Sequence, residues 1–193
     1  DRAGEAFYLR DEDNGIFWSP APYPVKSKNP YLTTHGFGYS TFEHELEGIG
    51  THMTVFVDKE FPVKCIILKV QNHSGRERSL STTGYMDIIL GDLRTKTHMH
   101  IVSEMDNTNS AILFNIRYNA VFAERVGFFK ILGNVGSYTA DRSLFIGRNG
   151  RLENPAAMYR KKLSGKTGAG FDPCAALQIK FDLLDGEQKE IIF

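Results

Sequence analysis

Residues 176–183 read Ala176-Leu177-Gln178-Ile179-Lys180-Phe181-Asp182-Leu183. Leu177, Ile179, Phe181 and Leu183 fall at every second position, with Gln178, Lys180 and Asp182 between them. Successive side chains of a strand point to opposite faces, so this spacing predicts a half-buried strand. The same period governs residues 64–71, where Ile66, Leu68 and Val70 share one face. Shorter apolar runs predict strands over 53–57, 79–90, 111–115, 125–132 and 190–193. Turn residues separate them: Asn72-His73-Ser74-Gly75, Asn149-Gly150 and Asp185-Gly186. One segment reads as a helix, with Asn154 as its cap, Pro155 as its first residue and 156–163 as its body. Many short strands between regular turns predict an all-β sandwich or barrel.

The chain has 193 residues, enough for one domain with a sizeable core. Lys plus Arg is 23 and Asp plus Glu is 23, a balance that argues against a nucleic-acid partner, which needs excess basic charge. No apolar run reaches the roughly 18 residues of a membrane span, and no signal peptide is evident. Cys65 and Cys174 sit beside apolar runs and read as buried free thiols of a reducing compartment, a single bridge between them staying open. The chain begins at Asp1 without a Met and stops in Ile191-Ile192-Phe193, so residues 1–193 are expected to form one domain excised from a longer protein.

Several motifs favour plain explanations. Gly165-Lys166-Thr167 lacks the earlier Gly of a phosphate loop, because Arg160 stands there, and reads as a turn. His98 and His100 would share a face if they lay on a strand, with Glu104 beside them, but no further His or Cys stands at ligand spacing. Asn72-His73-Ser74 fits a glycosylation acceptor and, in a chain of this kind, a hairpin turn. Asp11 and Glu12 are adjacent and point apart on an extended chain, so they make a poor acid–base pair. Glu43, Glu45 and Glu47 alternate, as on a solvated strand face.

The region 8–44 carries Trp18, the chain's one Trp, together with Tyr23, Tyr31, Phe37, Tyr39, His35 and His44. Such a mixture suits stacking on a sugar ring with polar groups at its hydroxyls, and equally suits rings filling the gap between two sheets. Gly36 and Gly38 flank Phe37, which predicts a bend or a close backbone approach.

The order of these motifs is similar to that in the N-terminal β-domain of glycoside hydrolase family 94, formerly called glycosyltransferase family 36. The resemblance rests on Phe7-Tyr8-Leu9-Arg10-Asp11 with Trp18-Ser19-Pro20, and on His35-Gly36-Phe37-Gly38-Tyr39-Ser40 followed by Glu43. It continues through Gly48-Ile49, Asn72-His73-Ser74-Gly75, Asp141-Arg142 and Phe171-Asp172-Pro173-Cys174, the later group resembling the β-1,2-glucan branch. It implies an all-β supersandwich of antiparallel sheets, similar to galactose mutarotase, with one or two short helices at most. It also implies that catalysis resides in an (α/α)6 barrel elsewhere in a parent chain, a β-glucan phosphorylase or cyclic β-1,2-glucan synthase. There a phosphorylase would use inorganic phosphate as co-substrate to release glucose 1-phosphate. This domain would brace the barrel, shape the sugar cleft and make dimer contacts.

No catalytic residue, metal or cofactor is therefore assigned to this chain. Its expected partners are its own barrel, a β-glucan or gluco-oligosaccharide, and a second copy. Its expected place is the cytoplasm, or the cytoplasmic face of the inner membrane for a synthase. Trp18, His35, Tyr39 and Glu43 are the candidates for facing the cleft. Two alternatives remain: a self-sufficient carbohydrate-binding module, and a mutarotase-like epimerase with His35 and Glu43 as its His–Glu pair.

Overall fold

This computed structural model describes residues 4–118 and 120–193. Its described residues form β1 (Glu5–Asp11), β2 (Phe17–Trp18), β3 (Tyr31–Gly36), β4 (Tyr39–Leu46), β5 (Ile49–Val57), β6 (Lys64–Asn72) and β7 (Arg78–Asp87). There follow α1 (Arg94–Thr97), β8 (Ile101–Asp106), β9 (Ala111–Ile116), β10 (Val126–Lys130), β11 (Ser137–Asp141), α2 (Arg142–Ile146), β12 (Pro173–Leu183) and β13 (Gln188–Ile192). They build three sheets, of order β11-β12-β7-β1-β2, β10-β9-β8 and β13-β6-β5-β4-β3. The all-β reading holds for the described residues, which are mostly strands.

Two compact units divide the chain, one of Phe7–Thr82 with Lys180–Phe193 and one of Asp1–Ala6 with Thr83–Ile179. In the first, the alternation seen in sequence becomes a packed interior. Ile66, Leu68 and Val70 of β6 are fully buried, and Met53 and Ile191 beside them nearly so. The ring of Phe7 meets Phe193 at 5.4 Å, and Leu9, two residues on, pairs with Trp18. In the second unit, Tyr85 stacks on Phe145 at 4.6 Å, and Ile112 and Phe114 of β9 fill the interior.

A polar corner fixes the turns of the first unit. Arg78 donates through Nε (3.2 Å) and Nη2 (2.5 Å) to Asp11 Oδ2, and through Nη1 to the Glu47 carbonyl (2.8 Å). Asp11 Oδ1 accepts from the backbone of Asp13 (2.8 Å), which closes the turn after β1. Glu47 and Gly48 form a two-residue hairpin loop with φ of 54° and 74°, and a Cβ on Gly48 would lie 2.8 Å from Ser74. Asn72 knits the next turns together, donating through Nδ2 to the carbonyls of Arg76 (2.7 Å) and Leu183 (2.9 Å). That use of its amide makes Asn72 a turn residue rather than a modification site.

Some local expectations are corrected. The predicted helix over 156–163 is a single 3-10 turn, Ala156–Tyr159. Asn154 does not cap it; its side chain accepts from the Tyr159 hydroxyl instead. The chain turns extended at Arg160, and the apolar residues of the segment simply pack, with Met158 and Leu163 buried. The helix that does have a side-chain cap is α2, where Asp141 accepts from the backbone N–H of Ser143 (2.9 Å) and Leu144 (3.4 Å). The strand predicted over 79–90 ends at Asp87, whose carboxylate is drawn into ion pairs with Arg94 and Arg142. In β12, Gln178 is buried rather than solvated; its Oε1 accepts from Ser137 Oγ (2.8 Å). Both cysteines are free thiols; Cys174 is buried, and Cys65 only half-buried.

Removing one member of a buried ion pair strands the other charge. Asp11→Ala and Arg78→Ala are each expected to lower unfolding free energy by about 3–5 kcal/mol, read by chemical denaturation. Glu12 gives a pH-dependent counterpart. It accepts from Lys180 Nζ (2.5 Å) and Ser81 Oγ (2.7 Å), with Arg10 Nη1 at 2.7 Å. Burial pushes its carboxyl up, but hydrogen bonds from Lys180, Ser81 and Arg10, with the Arg10 charge, outweigh that and hold it below the ordinary glutamate range. Its stabilisation is present above the unfolded-chain value and is lost as pH falls through the folded one. Glu12→Gln should therefore melt lower near neutrality and lose less stability than wild type between roughly pH 5 and 3.

Candidate functional site

The sheet β13-β6-β5-β4-β3 turns one face inward and leaves the other open. Its register puts Leu32 opposite Glu43, Glu43 opposite His52, His52 opposite Lys69, and Lys69 opposite Glu190. Paired residues share a face, so these five form one row across the open face. The neighbouring row is Glu45, Gly50, Gln71 and Gln188. Apart from Glu190, the two rows line a shallow cavity of about 750 Å³, with Pro30 and Tyr31 at its rim.

Its charges are loosely paired. His52 Nδ1 lies 3.5 Å from Glu43 Oε1, and Lys69 Nζ lies 3.8 Å from Glu190 Oε2, with all four side chains nearly half exposed. Thr54 Oγ1 stands 3.2 Å from His52 Nε2. The rim is firmer. The Tyr31 ring stacks on His44 at 3.9 Å, and its hydroxyl donates to the Ser19 carbonyl (3.1 Å).

Among the four residues predicted to face a cleft, the structure brings Tyr39 and Glu43 to this face and not the other two. Trp18 is 2% exposed. It pairs with Leu9, on the face of β1 that carries Phe7 toward Phe193, so its indole is interior packing. His35 pairs with Ser40, three residues from Glu43 on β4, and so lies on the opposite face, with its Nδ1 2.9 Å from Ser40 Oγ. His35 and Glu43 therefore form no His–Glu pair; the histidine opposite Glu43 is His52. Sequence spacing could not reveal that partner, because it depends on the register between two strands. Tyr39 is half exposed but lies flat over Gly36, where a Cβ would come within 2.3 Å of its ring. That close approach explains Gly36. Phe37 stands fully exposed at the tip of the β3–β4 hairpin.

Other candidates resolve as structure. His98 and His100 lie in a 3-10 turn rather than a strand; His98 Nδ1 is 2.9 Å from the Arg94 carbonyl and His100 stacks on Tyr118 at 4.1 Å. Among the described residues no three His, Cys, Asp or Glu gather as a metal site. In the second unit, Asp87 and Asp172 compensate Arg94 and Arg142. Arg142 Nε lies 3.3 Å from Asp87 and its Nη1 3.3 Å from Asp172, which Arg94 also binds. The Tyr85 hydroxyl donates to Asp87 (2.5 Å); burial first, then nearby Cys174 and Asp87, push its ionisation far up, so it stays protonated. Gly165, Gly168 and Gly170 all have positive φ, and the loop binds β11 through Gly165 N–H to the Tyr138 carbonyl (2.8 Å), as expected of a turn. Among the described residues no helix is long and apolar enough to cross a membrane.

Three sheets, one of them with an open polar face, define an all-β domain. Residues 1–193 match the model of the glycosyl hydrolase 94 supersandwich domain, and the chain belongs to that family. It is 31% identical over its whole length to cyclic beta-(1,2)-glucan synthase NdvB of Rhizobium meliloti, covering 7% of that protein. It is 28% identical to N,N'-diacetylchitobiose phosphorylase of Vibrio furnissii over 97% of its own length, and 28% identical to solabiose phosphorylase of Paenibacillus borealis over 94%. In each phosphorylase it spans 24% of the relative.

Exposed cross-strand ion pairs contribute roughly 0–1 kcal/mol. Glu43→Gln and Lys69→Met are accordingly expected to shift unfolding free energy by less than about 1 kcal/mol in denaturant titrations, which frees both positions for functional tests.

Proposed function

We propose that this chain is the non-catalytic, carbohydrate-associated domain of a β-glucan phosphorylase or cyclic β-1,2-glucan synthase. It braces a catalytic barrel in the same parent chain and forms one wall of the sugar cleft. The observation that carries this reading is the share of its relatives that it spans: 7% of a glucan synthase and 24% of each of two disaccharide phosphorylases, while its own residues 1–193 fall within one domain model. The relatives' names supply the class of chemistry, glycosyl transfer involving β-linked sugars, with inorganic phosphate as co-substrate in the phosphorylases. The arrangement of this chain's residues fits a supporting part. Its strongest charged clusters, Asp11–Arg78 and Asp87–Arg94–Arg142–Asp172, pair their opposite charges within the fold. The mutarotase-like alternative loses its His35–Glu43 pair, because those two residues lie on opposite faces of the sheet and His52 takes the place opposite Glu43.

The purified chain should release no glucose 1-phosphate from β-1,2-gluco-oligosaccharides and phosphate, and should not speed the anomerisation of α-glucose above its spontaneous rate. Release of glucose 1-phosphate by the pure chain, or anomerisation abolished by Glu43→Gln, would overturn this reading.

A further inference from the structure

Gly50 is the second residue of β5, paired on its two sides with Glu45 and Gln71, and it lines the open-face cavity. A glycine inside a strand weakens it, so it calls for a reason. The usual reasons do not apply. Gly50 is not among the residues with positive φ. A Cβ built on it would meet nothing closer than the His73 ring at 3.9 Å and the Gln71 carbonyl at 4.0 Å, ordinary van der Waals contacts. Gly48, by contrast, is required by its φ of 74° and by the Ser74 backbone, which a Cβ would meet at 2.8 Å. What Gly50 does provide is bare backbone at the bottom of a cavity, which lets another molecule approach closely.

The walls say what that molecule would be. Glu43 and Glu45 offer acceptors, Lys69 and His52 offer donors, and Gln71 and Gln188 offer both. Two carboxylates disfavour an anion, and the Lys69 ammonium disfavours a cation. The volume of about 750 Å³ falls in the range of small-molecule sites. An uncharged ligand dense in hydroxyls satisfies such a mixture. We infer that this face is a binding site for a neutral gluco-oligosaccharide. One ring lies over the Gly50 backbone, and its hydroxyls are taken by Glu43, Glu45, Gln71 and Gln188. This deepens the family reading above by giving the domain a sugar site of its own on the β13-β6-β5-β4-β3 sheet.

The test is Gly50→Thr, a substitution the strand accommodates and the ligand does not. Titration calorimetry with β-1,2-linked glucotriose and with cellotriose, run on the purified chain, should show binding by wild type. Binding should fall more than tenfold in Gly50→Thr while the melting temperature stays equal or rises. Gln188→Ala, on the edge strand, should weaken binding severalfold with an unchanged melting temperature, and it serves as the second variant should Gly50→Thr melt lower. The site is refuted if wild type binds neither sugar, if both variants bind as wild type does, or if a glucuronic-acid disaccharide binds better than the neutral sugars. Those outcomes leave the supporting-domain reading standing, since it depends on the absence of turnover and not on this cavity.

Discussion

The buried pair of Asp11 and Arg78 is the constraint from which the geometry of the open face follows. Placing a carboxylate and a guanidinium where they are 0% and 3% exposed is costly, and it is offset only when nearly every donor and acceptor finds a partner. Here each partner also holds a turn. Asp11 closes the turn after β1, and the remaining arm of Arg78 holds the Glu47 carbonyl at 2.8 Å. Glu47-Gly48 is the hairpin loop that joins β4 to β5, so fixing it fixes the register between those strands. A slip of one residue would send every side chain of a strand to the other face. The placement of Glu43 beside His52, and of Glu45 beside Gly50, thus rests on an ion pair in which none of them takes part.

How much of this could be read from the sequence depends on whether a residue's surroundings are local. β6 and the second half of β12 were legible, because one buried and one open face leave a period of two in the letters. β3 and β4 carry no such pattern, because most of their residues are exposed or half exposed on both sides. Gln178 broke the alternation in the opposite sense, as a polar side chain buried because Ser137 meets it from β11. The helix over 156–163 failed because a cap-like Asn and a following Pro describe a helix start without supplying a helix: the Asn side chain found Tyr159 instead. Trp18 was misread from composition. Only pairing with Leu9, and the direction of Phe7 next to it, reveal which side of β2 is interior.

The motifs that identify the family mark the fold rather than a site, for one physical reason. Gly48, Asn72, Asp141 and Asp172 are a turn residue, a turn-knitting amide, a helix cap and an ion-pair partner. Their interactions demand a particular residue type, so they mark the architecture clearly. A binding face on an exposed sheet makes weaker demands, and its members — His52, Lys69, Gln71 — are ordinary strand residues until the register lines them up.

The two faces of the β13-β6-β5-β4-β3 sheet therefore divide the work. Ile66, Leu68, Val70 and Met53 hold the sheet from inside, and their burial removes apolar surface worth about 25 cal/mol per Å² from water. The outer rows add little to that: the His52–Glu43 contact and the Lys69–Glu190 ion pair are 3.5 and 3.8 Å long and nearly half exposed. A face that stability does not depend on can tolerate residues chosen on other grounds, even one that weakens the strand. Gly50 is such a residue. Glycine in a strand costs roughly 0.5–1 kcal/mol relative to a residue with a side chain, and neither its φ nor its neighbours require it. The sheet can bear that loss because its stability comes from the opposite face.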